Sequence, residues 1–300
     1  MSFKKLPLLK KLALKRNNKR GYQDYKLLRH LQNLPPVNLE LGDTSNLHFK
    51  HSGNSGDVIY ALPAMYAIAE NNPTHLFLNP DVDGGYAKNV YHPLGTVMLN
   101  TKVIALLKPL LDYQTRIKTC ETYSSQTIDV DLDLIRSYPL LGGLGNITRW
   151  YFYLFAVNSD LSVPWLEAPV NNDYKDSIVI ARSHRYRNPN IDFTFLKKYN
   201  NLVFVGLPEE FSDMKKLIPN IEYAPVDDFL AMAAIINSCK LFIGNQSFPF
   251  SIAEALKVKR VLEVCYYCPN VSVEGVNGFD FCYQPQFEKI VERALASPGV

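Results

Sequence analysis

The feature that most restricts the architecture of this chain is an alternation of short apolar strands and helices that runs, stops at a proline-bearing segment, and starts again. The first run opens at Asn46 to Lys50 (NLHFK), passes through His51-Ser52-Gly53-Asn54-Ser55-Gly56, and continues from Asp57 to Glu70 with apolar residues at helical spacing. His75 to Leu78 (HLFL) reads as the next strand, which completes a βαβ start with short connections. Thr101 to Leu111 predicts a helix, Thr127 to Leu134 a strand by its alternation, and Asn146 to Val157 a buried helix. Otherwise residues 80–126 show no clear period and are expected to form an insertion. Val163 to Pro169 (VPWLEAP) carries two prolines and reads as a linker.

Beyond it the pattern restarts. Strands are predicted at Ser177 to Ala181, Asn201 to Val205, Lys240 to Ile243 and Arg260 to Val264. Helices are predicted at Phe193 to Lys198, Phe211 to Leu217, Phe229 to Ser238, Ser251 to Lys257 and Gln286 to Ala296. The expected class is α/β, with two Rossmann-like domains and mostly parallel sheets. A length of 300 residues exceeds the roughly 100–200 of one domain and agrees with two. The predicted division is a basic tail and helix over 1–45, a first domain over 46–165 and a second over 166–300. The helix from Gln286 is expected to pack back toward the first domain.

Charge is unevenly placed. Lys4, Lys5, Lys10, Lys11, Lys15, Arg16, Lys19 and Arg20 fall within the first 20 residues without an acid; subtracting these eight charges from a net +3 leaves −5 for the rest. Leu6, Leu8, Leu9, Leu12 and Leu14 interleave with them, a pattern that suits a solvated tail, an anionic membrane surface or a nucleic acid. Lysines interrupt this apolar run and no small-residue cleavage site follows, which argues against a signal peptide; no stretch approaches the roughly 20 apolar residues of a membrane span. Five cysteines, at 120, 239, 265, 268 and 282, form no disulfide framework, and a cytoplasmic protein is expected. Cys265 and Cys268 have the spacing of a metal or redox pair, but Pro269 follows directly and no further ligands lie near in sequence, so they read as the end of a buried strand.

Three segments carry candidate chemistry. Leu241 to Leu256 runs from an apolar strand through a polar turn into a helix; Ser251 and Glu254 have capping-box spacing, and free backbone N–H groups there suit a phosphate. The turn Gly53 to Asp57 sets a carboxylate at the start of a helix, where it serves either as a general base or as a partner of the helix dipole. It is no dinucleotide fingerprint, and Gly142-Gly143-Leu144-Gly145 follows no clear strand. Arg182, Arg185 and Arg187 follow the first strand of the second half and suit diphosphate oxygens.

The segment His51 to Pro63 (HSGNSGDVIYALP) resembles the N-terminal motif of the ADP-heptose:lipopolysaccharide heptosyltransferases, glycosyltransferase family 9, in which Gly-Asp, aliphatics and Leu-Pro follow the first strand. Gly244 to Leu256 (GNQSFPFSIAEAL) resembles their second motif, and the clear likeness spans about residues 46–70 and 176–265. The resemblance implies a GT-B fold and an inverting, metal-independent transfer from a nucleotide-sugar, with no cofactor, to a hydroxyl of a glycan or lipopolysaccharide-like acceptor. By position it implies Asp57 as base, Asn245, Gln246, Ser247 and Ser251 in the phosphate loop, the three arginines on the diphosphate, and Ser52 to Gly56 facing the acceptor. Glu210, after the strand at 201–205, is placed loosely on the ribose. The family's Asp and His are Gln246 and Ser251 here, so a degenerate nucleotide-sugar-binding protein is the alternative; the basic N-terminus raises another, a transferase acting on modified nucleic acid.

Overall fold

The computed structural model describes residues 5–33, 36–86, 92–138, 140 and 142–296, with the side chains of 30–33 excepted. A helical hairpin comes first, α1 (Leu8–Asn17) and α2 (Lys19–Asn33). Asn18 separates the two, and its side chain accepts the Gly21 N–H at 2.8 Å, which caps the second helix. The first domain follows as β1 (His48–His51), α3 (Ser55–Ile68), β2 (Thr74–Leu78), α4 (Thr101–Asp112), β3 (Ile117–Thr122), β4 (Val130–Asp131) and α5 (Ile147–Phe155). The second comprises β5 (Ile178–Ala181), β6 (Leu202–Phe204), α6 (Pro208–Leu217), β7 (Glu222–Tyr223), α7 (Phe229–Ser238), β8 (Leu241–Asn245), α8 (Phe248–Leu256), β9 (Arg260–Glu263), β10 (Gly278–Phe281) and α9 (Gln284–Ala296).

Among the described residues the strands form two wholly parallel sheets, in the orders β3-β2-β1-β4 and β10-β9-β8-β5-β6-β7. Parallel strands need helical crossovers, and those helices bury the central strands of the second sheet on both faces. There Val179, Ala181, Val203 and Phe242 belong to the same apolar cluster as the first domain's core. Their neighbours Ile178, Ile180, Phe204 and Ile243 point the other way, into a separate cluster with Phe287 of α9.

The shared core comes from helices that meet between the sheets: α3 packs against α8, and α4 against α7. Trp165, in the proline-bearing connection, fastens the first pair. Its backbone N–H donates to Ala255 O at 3.0 Å, and its indole N–H donates to Ile59 O at 3.2 Å.

Four expectations are revised. The helix α9 packs on the second domain, not the first: Phe287 stacks on Phe281 at 3.9 Å and meets Phe193 and Phe195. The stretch 80–126 contains strand β3, in which only Ile117 and Cys120 are buried, so this edge strand has no period of two to read. The strand expected over 127–134 shrinks to two residues, because Asp131 accepts the Asp133 N–H and starts a 3-10 turn over Leu132–Arg136. The helix expected from Ser251 begins three residues earlier, at Phe248.

Candidate functional site

In both sheets the strands end toward a cleft of about 450 Å3 between the two halves, the place where parallel α/β sheets hold ligands. One wall is the N-terminal turn of α3. The Asn54 backbone N–H and its side-chain amide both donate to Asp57 Oδ2, each at 3.2 Å. The amide oxygen of Asn54 accepts the Tyr86 hydroxyl at 2.6 Å and His92 Nε2–H at 2.9 Å. His92 Nδ1 accepts the Leu94 N–H at 3.2 Å, so the ring is the neutral Nε2–H tautomer, and it stacks on Tyr86 at 4.6 Å. Burial, and then the nearby Arg185, push the His92 imidazole down to about 4. Two donors thus fix the Asn54 amide, the amide fixes one oxygen of Asp57, and Oδ1 accepts no hydrogen bond among the described residues.

Behind this turn His51 is fully buried. Its Nδ1 accepts the Gly53 N–H at 2.8 Å, and its Nε2–H donates to Tyr151 Oη at 2.7 Å. Burial lowers its pKa and outweighs the pull of Asp133 and Asp57 toward the charged form. A Cβ on Gly53 would stand 2.5 Å from His51 Cε1, so the turn closes only around glycine. Asp133 accepts both the N–H (2.8 Å) and the hydroxyl (2.7 Å) of Ser52 and pairs with Arg136 at 2.7 Å. Burial works against its charge, but His51, Arg136 and Ser52 lower its pKa on balance. Of the five residues expected on the acceptor side, Asn54, Ser55 and Gly56 line the cleft, while Ser52 and Gly53 build the turn from behind.

The two histidines make a pH prediction. Both have depressed pKa values in the folded protein, whereas the unfolded chain takes up protons near 6.5. Below that pH the unfolded state binds more protons, so stability present at neutral pH is lost as pH falls toward the folded values. For His92, half-exposed and screened by solvent, the loss is on the order of 1 kcal/mol by pH 4. Melting temperatures from pH 7 to 4 are expected to fall less steeply in His92→Gln; equal slopes would contradict the assignment.

The opposite wall is the turn from β8 into α8. Ser247 is the N-cap and Pro249 lies in the first turn, where a missing N–H costs nothing. Ser251 is therefore not the cap. Its hydroxyl donates to Phe248 O at 2.7 Å, and it is buried against α3, where a Cβ on Gly56 would lie 3.7 Å from Ser251 Oγ. Asn245 clips the neighbouring turn: its amide oxygen accepts the Ser183 N–H at 3.0 Å, and its NH2 donates to Ser183 O at 2.8 Å. Gln246 donates to Cys268 O (2.8 Å) and Asn270 Oδ1 (2.7 Å) and accepts the Cys265 N–H (2.7 Å), which fastens the loop after β9.

The three arginines part company. Arg182 is buried and forks onto Glu263 at 2.7 and 2.6 Å, with Phe193 4.3 Å from its guanidinium carbon and Asn188 O and Ile191 O at 3.1 and 3.3 Å from Nη2, so its Nε and Nη2 are committed to the fold although the residue lines the cleft. Arg187 pairs with Asp213 at 3.2 Å and donates to Arg182 O. Arg185 lines the cleft beside the Tyr186 ring (4.7 Å), approaches Tyr86 from the other domain, and has no carboxylate partner among the described residues. Tyr267 secures this loop by donating its hydroxyl to Arg185 O at 3.0 Å. Glu210 lines the same cleft from α6, where it accepts the Leu207 N–H at 3.3 Å; burial raises its pKa against that bond. Gly206, at φ +141°, makes the turn before it.

Sequence reasoning missed Tyr60, Tyr86, His92 and Phe229, all beside or lining this cleft. Tyr60 was legible in principle, because it lies three residues after Asp57 on the same helix face. Tyr86 and His92 lie within the stretch without period, where no rule of spacing points inward. Among the described residues no group of three or more His, Cys, Asp or Glu is placed to hold a metal ion.

No protein-family model matches the sequence, and no curated protein does. Solved structures do match. The Escherichia coli heptosyltransferase WaaC with ADP superposes with a TM-score of 0.55 at 10% identity, over 83% of this chain and 99% of that one. WaaC with ADP-2-deoxy-2-fluoro heptose gives 0.53 at 11% over the same shares. The iron-containing dodecameric glycosyltransferase TibC from enterotoxigenic E. coli gives 0.51 at 12%, over 87% and 82%. The chain shares the GT-B fold of these heptosyltransferases, two parallel-sheet domains facing each other across a cleft.

Proposed function

We propose that this protein is a glycosyltransferase that moves a sugar from a nucleotide-sugar to a hydroxyl of a glycan or lipid-linked acceptor. The observation that carries this reading is the cleft itself. The N-terminal turns of α3 and α8 meet across it, with Asp57 held on one side and Arg185, which has no carboxylate partner among the described residues, on the other. Helix N-termini and a guanidinium hold a diphosphate and stabilise it as it leaves, without calling on a metal. Asp57 takes the proton of the acceptor hydroxyl, that oxygen bonds to the anomeric carbon, and the bond to the diphosphate breaks on the opposite face, which inverts the configuration. The apolar slot of Leu207, Pro208, Tyr223, Pro225, Val226 and Phe229 receives the base, and Glu210 at its rim faces the ribose. WaaC was solved with ADP, so an adenine nucleotide is the first to test.

A thermal-shift screen with ADP-, GDP-, UDP- and CMP-sugars tests the reading, since a ligand bound only by the folded state raises the melting temperature. The best nucleotide-sugar is expected to bind Arg185→Ala about 10-fold or more weakly. If none stabilises the protein, or if Arg185→Ala binds equally well, the assignment fails. The inward-turned Gln246 and Ser251 keep a second reading open, a nucleotide-sugar-binding protein without turnover; hydrolysis or transfer of the sugar separates the two.

The acceptor is reached at an anionic membrane face, such as the inner face of the cytoplasmic membrane. The helix α1 buries none of its residues; Leu8 is 70% and Leu9 80% exposed, among Lys10, Lys11, Lys15 and Arg16. Apolar side chains between cations match anionic lipid, where each cation adds about 1 kcal/mol. Sedimentation with phosphatidylglycerol vesicles, but not with phosphatidylcholine vesicles, is expected, and Leu8→Asp/Leu9→Asp should reduce it. Salt-sensitive retention by DNA without vesicle binding would point to a nucleic-acid acceptor.

A further inference from the structure

Asn54 makes more hydrogen bonds than a helix cap requires. Its backbone N–H and side-chain NH2 donate to Asp57 Oδ2, and its amide oxygen takes two further donors from a distant segment, the Tyr86 hydroxyl at 2.6 Å and His92 Nε2–H at 2.9 Å. Both lone pairs of that oxygen are then used, so the amide is neither free to turn nor open to a ligand. The direction of each bond is set by its chemistry. The Leu94 N–H only donates, which leaves His92 Nδ1 as acceptor and Nε2 as donor. Turned over, the Asn54 amide would set its NH2 against two donors and its oxygen against a carboxylate.

The chain between β2 and α4 is shaped to deliver these two donors. The Gly84 N–H donates to Thr96 O at 2.8 Å, the Gly85 N–H donates to Asp83 Oδ1 at 2.7 Å, and Gly85 takes φ +61°. A Cβ on Gly84 would stand 2.5 Å from the Tyr86 ring, so the ring folds back in this way only over glycine. It stacks on His92, and both side chains reach Asn54, 32 and 38 residues earlier in the chain. We propose that Tyr86 and His92 are positioning residues for the transfer step, which act through Asn54 to hold Asp57 by Oδ2 and leave Oδ1 for the proton of the acceptor hydroxyl. A general base works only within hydrogen-bond reach of its proton, and a displacement of about 1 Å costs on the order of 10²-fold in rate. The Tyr86 proton and His92 Nε2–H are committed to Asn54, so the pair aims the base and leaves the proton transfer to Asp57.

This inference rests on the proposed reading of the cleft, with Asp57 as base, and a double-mutant cycle on the full chain tests it. His92→Ala and Tyr86→Phe each remove one donor, and the two together remove both. Singly they are expected to slow sugar transfer about three- to tenfold, the effect of one hydrogen bond, and together about 30- to 100-fold, with KM for the nucleotide-sugar little changed. His92→Gln, which still presents an N–H, is expected to recover most of the His92→Ala loss. On an Asp57→Asn background the same substitutions are expected to alter the remaining turnover by less than about twofold, since no base is left to aim. A pair that merely ties down its own segment would give equal factors on both backgrounds, and that result overturns the inference. So would full turnover in the double variant, or a loss that falls on KM alone. Where the double variant melts below the assay temperature, the cycle of Tyr86→Phe with Asp57→Asn decides by the same criterion. If the wild type transfers no sugar, the reading of the cleft fails first and the positioning role with it.

Discussion

Replacing Asp57 by asparagine is expected to lower sugar transfer by about 10²- to 10⁴-fold, the range typical of a lost general base, and to change nucleotide-sugar affinity little. The split follows from the division of labour in the cleft. Arg185, the α8 turn and the base slot belong to the second domain, whereas Asp57 sits on the first, with one oxygen held by Asn54 and the other accepting no hydrogen bond among the described residues. The competing account is that Asp57 only caps its helix, since it does accept the Asn54 N–H. A lost cap costs about 1 kcal/mol, and asparagine still offers an oxygen to that N–H, so a structural role predicts a small drop in melting temperature and full turnover. A melting scan and a turnover assay on one preparation decide between them. Retained turnover removes Asp57 from the mechanism.

The largest effect on stability is expected at Glu254. Its carboxylate lies in α8 between two cations: Arg260, whose Nε donates to Oε2, and Lys257, whose ammonium donates to Oε1. Arg260 is fully buried and also donates to Val258 O (3.0 Å), Val276 O (3.3 Å) and Glu274 O. Lys257 lies 4.4 Å from the centre of the Trp165 ring, so the cluster joins α8, β9 and the domain connection. Glu254→Gln keeps the volume and leaves two buried positive charges facing each other, which costs about 3–5 kcal/mol. Urea denaturation at constant m-value reads this directly, and a loss below about 1 kcal/mol would refute it.

The pH dependence of that variant gives a second check. Burial lowers Lys257 to about 8 even though Glu254 opposes the shift, while the unfolded lysine titrates near 10.5. Between those values the unfolded state binds more protons, so stability from this group rises with pH. Without Glu254 the ammonium gives up its proton more readily, and the deficit of the variant is expected to narrow from about pH 7 to 9.

How much of this was legible in the sequence depended on the type of signal. Glycine-bearing turns after apolar strands marked both walls of the cleft, because a strand that must pass straight into a helix leaves a local trace. Asp57 was found that way, and the capping bond the structure gives it was foreseen along with the alternative. The three arginines looked equivalent as a run of cations. They separate only because Glu263 and Asp213, distant in sequence, take up two of them. Ser251 looked like a cap because Ser-x-x-Glu has the right spacing, but Glu254 was already committed to Lys257 and Arg260, and Ser247 with Pro249 opened the helix earlier.

The sequence by itself determined the α/β class and the two rounds of alternation, because hydrophobic period and turn chemistry act over a few residues and are written in order along the chain; the GT-B fold was implied there only by the resemblance of two short motifs. Only the tertiary structure decided which charges are free and where α9 goes. It also decided that the proline-bearing connection is a packed brace through Trp165, and that Tyr86 and His92 return to hold Asn54. Those outcomes depend on pairings between residues tens of positions apart, whose strength is set by burial, and burial does not exist until the two sheets have closed on their shared helices.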